Sequence, residues 1–97
     1  MKIIVSNEAY NWFKDEMDIE SGDAIRFYVR YGGSSPFHEA FSLGVNREKP
    51  HQAGIQLERD GVLFYIEKDD EWFFNEHDLH VHVNESLDEL HYEYKKA

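Results

Sequence analysis

The sequence predicts an α+β fold, mainly antiparallel β-strands with one N-terminal helix and one short helix, and three observations carry that prediction. An apolar stripe with helical spacing runs over residues 7 to 17. From 24 to 45 the period drops to two, the repeat of a strand with one buried face. Short turn-forming clusters then separate further β-type runs as far as residue 94. With 97 residues, 41% hydrophobic and 15% aromatic, the chain has material for one core, and no long Pro/Gly/Ser-rich linker divides it, so 1–97 is expected to be a single domain.

Ile3-Ile4-Val5 reads as an opening strand. Ser6 follows, where a hydroxyl can accept a bond from a free N–H of the next turn, and Glu8 stands where the helix dipole favours negative charge. A helix is expected from Asn7 to about Met17, with Ala9, Phe13 and Met17 recurring every fourth residue beside Trp12, until Ser21-Gly22-Asp23 breaks the pattern. Ala24 to Tyr31 alternates, with Ile25, Phe27, Val29 and Tyr31 on one face and Arg26, Tyr28 and Arg30 on the other. Gly32 to Pro36 is expected as a five-residue hairpin loop, after which Phe37, Glu39, Phe41, Leu43 and Val45 alternate with His38, Ala40, Ser42 and Gly44. A polar stretch from Asn46 leads to a second hairpin, Ile55 to Glu58 and Val62 to Ile66 around Arg59-Asp60-Gly61. Asp69-Asp70-Glu71 supplies the acidic first turn of a short helix carrying Trp72 and Phe73. Leu79 to Val83 and His91 to Tyr94 are the closing strands. Phe27, Phe37, Phe41, Phe64, Trp72 and Phe73 read most simply as core.

Twenty acidic side chains against ten basic ones give a formal charge of -10, which repels phosphate backbones and anionic headgroups. Nucleic acid and membrane are therefore not expected as partners, whereas a protein partner is compatible with the composition. Residues 58 to 93 hold most of the excess. The absence of cysteine rules out disulfides, thiolate zinc sites and a cysteine nucleophile. No apolar run approaches the roughly 20 residues of a membrane span, and Met1 to Ser6 is too short for a signal peptide, so a soluble cytoplasmic protein is the expectation.

The Gly32-Gly33-Ser34-Ser35 loop has the small residues that let backbone N–H groups converge on an anion, but no lysine follows in P-loop spacing, and a hairpin turn explains it more simply. A serine nucleophile is disfavoured, because Pro36 stands where the last glycine of G-x-S-x-G belongs. Six histidines raise a metal hypothesis. His80 and His82 leave one face of a strand together, with Glu76 and His77 upstream, a set that could ligate Zn, Ni or Fe. Against it stands the plain reading of a wet strand face, which puts polar residues at alternate positions whatever their chemistry. His51 and His91 look incidental. The acidic runs Asp69-Asp70-Glu71 and Glu85 to Glu89 read as caps or solvated faces and lack the order of a calcium loop. Arg26, Tyr28 and Arg30 mark a basic, partly apolar surface.

In order, Ile3 to Ser6 and the helix, Val29-Arg30-Tyr31-Gly32-Gly33-Ser34-Ser35, Phe41-Ser42-Leu43 and Asp60-Gly61-Val62 resemble the HesB-like domain of A-type iron–sulfur cluster assembly proteins over nearly the whole chain. The resemblance implies a bacterial protein of that fold with a cluster held by a loop cysteine and a C-terminal Cys-x-Cys pair. Here Ser34 occupies the loop position and the pair has no counterpart. A serine hydroxyl ionises too reluctantly to replace a thiolate, so no iron–sulfur cluster is expected. The resulting expectation is a non-enzymatic, cysteine-free HesB-like protein that binds a partner through Gly32, Gly33, Ser34 and Ser35, with a small metal- or ligand-binding domain using His80 and His82 as the alternative.

Overall fold

The structure is a computed structural model that describes residues 1–33, 35, 36 and 38–97. Ser34, the counterpart of the loop cysteine, and Phe37 lie outside the described residues. The chain runs β1 (Ile3–Val5), α1 (Asn7–Met17), β2 (Ala24–Tyr31), β3 (Phe41–Arg47), β4 (Ala53–Arg59), β5 (Val62–Glu67), a 3-10 helix (Lys68–Phe74), β6 (His77–Asn84) and β7 (Glu89–Lys96). This is the expected α+β class. The strands are divided between two sheets, β1-β6-β7 and β3-β2-β5-β4. Each sequential hairpin, β2/β3, β4/β5 and β6/β7, is antiparallel. Two short parallel joins complete the sheets, β1 to β6 through Ile3–Val5 and β2 to β5 through Ala24–Arg26.

Local chemistry fixes the element ends. The Ala9 N–H donates to Ser6 Oγ at 3.0 Å, satisfying a donor that the first helical turn leaves free, and Asp18 closes α1 in the left-handed conformation at φ 52°. In the β4/β5 hairpin Arg59 pairs with Val62, leaving Asp60 and Gly61 as a two-residue turn with φ of 51° and 80°. Two positive φ angles make the turn whose twist matches the flanking strands.

The core lies between the sheets and against one face of α1. Phe13, Ile25, Phe27, Phe64, Phe73, Leu79 and Val81 are fully buried. Ring centroids 5.2 Å apart join Phe13 to Phe64, and Phe27 meets Phe64 at 6.3 Å and Tyr92 at 6.1 Å, so helix and both sheets share one aromatic centre. Burying each such side chain stabilises the fold by about 1.5–3 kcal/mol.

Two expectations are corrected here. β3 starts at Phe41, paired with Tyr31, so the connection spans residues 32–40 rather than Gly32 to Pro36. The Gly32 N–H to Ala40 O bond at 2.7 Å adds a last rung to the ladder, and beyond it Ser35 and His38 bond locally, Ser35 N–H to His38 O at 2.9 Å and His38 N–H to Ser35 Oγ at 3.2 Å. The alternating pattern also overstates burial. Val29 and Phe41 are only half-buried, Trp72 is 53% exposed and Tyr31 is 84% exposed.

Candidate interaction surface

The exposed aromatics belong together, and the topology explains why. β5 accompanies β2 only along Ala24–Arg26 and then turns into the 3-10 helix, so the second half of β2 runs on beyond that partner. Arg26 ties the departing segment back. Its Nη1 lies 2.8 Å from Glu48 Oε2 and its Nη2 3.0 Å from Asp70 Oδ2. Asp70 is therefore a structural ion-pair partner, not the solvated end of an acidic run. With the 3-10 helix held there, Trp72 packs edge-on to Phe41 at 5.7 Å, Phe41 edge-on to Tyr31 at 5.7 Å, and the His38 ring sits 5.2 Å from both Trp72 and Phe73. An aromatic chain thus climbs from buried Phe73 to exposed Tyr31, bordering the 32–40 connection. Gly32 and Gly33, at φ 118° and 66°, allow the chain to turn beside it.

A buried polar network fastens the segment before β4. Glu67 accepts the N–H groups of His51 and Gln52 at 2.7 and 2.8 Å, and these bonds, led by that of His51, hold its carboxyl below the usual range against the opposing effect of burial. The Tyr65 hydroxyl donates to Glu48 O at 2.7 Å, and burial pushes its pKa up to about 12.

The histidines lie elsewhere. Leu79 and Val81 face the core, so His80 and His82 project from the opposite face of β6, with rings nearly parallel and centroids 6.2 Å apart. The register sets Glu93 beside His80 and His91 beside His82, and His82 Nε2 lies 3.1 Å from Glu93 Oε1. Desolvation, then Lys95 and His82, lower the His80 pKa. Glu76 and His77, the upstream ligand candidates, instead line an open cleft of about 830 Å³ with Met1, Ile55, Glu71 and Lys96. Among the described residues no group of three or more His, Asp or Glu side chains could hold a metal ion. The metal reading of His80 and His82 is thereby corrected: neighbours on one strand face lie side by side, and the further ligands point into another site. The structure does not bring this pair together with the Gly32 to Pro36 loop, which ends a hairpin of the other sheet.

Sequence reasoning missed two things. It assigned Trp72 and Phe41 to the core, since hydrophobicity does not reveal where a neighbouring strand ends. It set His91 aside, since only the β6/β7 register places that ring opposite His82. No helix among the described residues is long and apolar enough to cross a membrane.

No protein-family model matches the chain. A pyruvate dehydrogenase inhibitor of Bacillus subtilis (strain 168) is 47% identical over 95 residues, covering 98% of this chain and all of that protein. An uncharacterized protein of Staphylococcus saprophyticus is 36% identical over 95 residues, covering 95% of this chain and 97% of its own length. Another from Staphylococcus aureus (strain MRSA252) is 31% identical over 98 residues, covering 98% of this chain and all of its own. These findings overturn the HesB-like assignment and the link to iron–sulfur cluster assembly, for no family model supports it and no assembly protein appears among these relatives. The glycine–serine motif that suggested it is accounted for by the turn chemistry of the β2/β3 connection. With identity this high from end to end, the chain belongs to the family of the Bacillus subtilis pyruvate dehydrogenase inhibitor.

Proposed function

We propose that this protein is a non-enzymatic regulator that acts in the cytoplasm by docking onto a protein target, and that the target is pyruvate dehydrogenase. The observation that carries this reading is the full-length 47% identity to a protein named for inhibiting that enzyme. The docking surface is the exposed aromatic ridge of Tyr31 and Trp72 with the adjoining Gly32, Gly33 and Ser35. Large aromatic side chains supply most of the energy of typical protein interfaces, and here two of them stand in water, Tyr31 at the end of β2 and Trp72 on the 3-10 helix. The mode of action is occlusion: a rigid domain without resident chemistry lowers activity by covering a surface that the enzyme needs.

The test is direct. Purified protein added to the pyruvate dehydrogenase complex of the same organism should slow pyruvate-dependent NADH formation in a saturable manner. The double variant Tyr31→Ala/Trp72→Ala should lose at least about tenfold in potency, equivalent to about 1.4 kcal/mol, while its unfolding transition stays in place. No inhibition at large molar excess would reject the function. Full inhibition by the double variant would reject this surface.

A further inference from the structure

We infer that the free edge of β3 pairs with the same edge of a second copy of this chain, forming a continuous eight-stranded sheet across a twofold axis at Gly44. The inference is independent of the regulatory reading above, because it rests on the sheet edges and their charge.

An exposed strand edge is a template for pairing, and proteins usually guard it. Three of the four edges here are guarded. β1 is three residues long, and its Val5 carbonyl accepts Arg59 Nη1 at 3.2 Å. β4 carries an irregularity between Ala53 and Gln56 that breaks the ladder. β7 is lined with charge at Glu89, Glu93, Lys95 and Lys96. β3 is different: Phe41-Ser42-Leu43-Gly44-Val45-Asn46-Arg47 contains no acid, no proline and one cation at its end, and its register with β2 is unbroken.

The direction of its free groups is fixed. Glu48 N–H donates to Ala24 O, and Ala40 O accepts from Gly32 N–H, so even-numbered backbone groups of this segment face β2. The N–H and C=O groups of Phe41, Leu43, Val45 and Arg47 therefore point away from the sheet. Antiparallel self-pairing that matches these odd-numbered groups places Leu43 against Val45 and Phe41 against Arg47 of the second copy, with about eight hydrogen bonds. The first match joins two aliphatic side chains, and the second lays Phe41 beside the apolar stem of Arg47, whose guanidinium donates to Met17 O and lies 3.6 Å from Asp23 Oδ2. Ser42 falls opposite Asn46, a pair able to hydrogen-bond, and the axis crosses at Gly44, which has no side chain of its own and is covered on one face by the Tyr28 ring.

Charge is compatible with the same edge. Two copies at -10 each repel, but β3 itself carries no acid, and the Arg26 and Arg47 charges of the hairpin are met by Glu48, Asp70 and Asp23, so this edge adds little charge of either sign to the encounter. The β2/β3 hairpin is thus a face by which two such acidic chains can meet. A single strand pair gives a small interface, so the association is weak and strengthens as salt screens the repulsion.

Sedimentation of the full chain from about 10 μM to 1 mM spans the range expected for so small an interface. It should show a reversible monomer–dimer equilibrium shifted toward dimer by NaCl. Val45→Pro removes an outward N–H at an edge position where proline is tolerated and should weaken association at least about tenfold. Because Val45 is half-buried, a second measurement uses the natural absence of cysteine. Ser42→Cys/Asn46→Cys should form a disulfide-linked dimer under mild oxidation, whereas either single variant should not. The two positions lie about 13 Å apart within one strand, so the bond has to form between copies. A wild-type chain that is monomeric at every concentration, or single variants that cross-link as well as the double, would overturn the proposal.

Discussion

The two ends of β2 carry the same sequence pattern and meet opposite fates. At one end Ile25 and Phe27 are fully buried, with Phe27 between Phe13, Phe64 and Tyr92. At the other, Val29 is half-buried and Tyr31 stands in solvent beside Phe41 and Trp72. Alternation determines which face a side chain joins, and what lies beyond that face determines its depth. Near Ala24–Arg26 the strand has β5 at its side and α1 and β7 above it. Past that point the chain of β5 has become the 3-10 helix, and the aromatic face emerges. One cluster holds the molecule together and the other is available to a partner.

The largest effect that would break this contrast is expected at Phe27. Phe27→Ala removes a ring from the shared centre and should cost about 3–5 kcal/mol in chemical denaturation, whereas Trp72→Ala should cost under about 1 kcal/mol. Similar losses for the two would show that the exposed ridge belongs to the core. Next comes the clamp between the two ends. Arg26→Ala leaves Glu48 and Asp70 without their guanidinium and should cost about 1–3 kcal/mol. The same variant should increase hydrogen exchange in Lys68–Phe74 more than in α1, and uniform exchange would mean that the clamp does not hold the 3-10 helix. A smaller, local effect is expected at the helix start, where Ser6→Ala should lower stability by about 1 kcal/mol without altering the ridge.

The smallest effect is on pH dependence. Glu67 and His80 both have folded-state pKa values below their usual ones, so the unfolded chain takes up the proton first. Each contribution is complete above the ordinary value, near 4.5 for Glu67 and 6.5 for His80, and is lost as pH falls toward the folded-state value. Melting temperature should therefore dip slightly below about pH 6.5 and more steeply below about pH 4.5. His80→Gln should remove the first dip alone. A first dip that persists in this variant would assign it to another group.

Features set within a few residues were legible in the sequence. Ser6 before an apolar helix and Asp60-Gly61 between two β-type runs each determine backbone geometry locally, and both stand where they were expected. Features that depend on distant partners were not. Asp70 reads as one acid among three until Arg26, 44 positions away, is brought to it. The 32–40 connection looked like a five-residue turn because Phe37 and Glu39 continue the alternation, but hydrogen bonds within the loop win over a longer ladder. In the candidate surface, the glycine–serine residues could be named from their composition. Their aromatic neighbours could not be placed outside the core without knowing where β5 ends.

The placement of the two tryptophans gives the molecule a pair of internal light sources. Trp12 is half-buried on α1, with its indole N–H donating to Asp88 O at 3.1 Å, while Trp72 stands exposed on the ridge. Excited at the same wavelength, they sample different surroundings, so a water-borne quencher should extinguish Trp72 well before Trp12. A Trp12→Phe chain would then emit from the ridge alone, and a Trp72→Phe chain from the helix alone. Unfolding and docking, which involve different parts of this protein, thereby acquire separate optical signals without any attached dye.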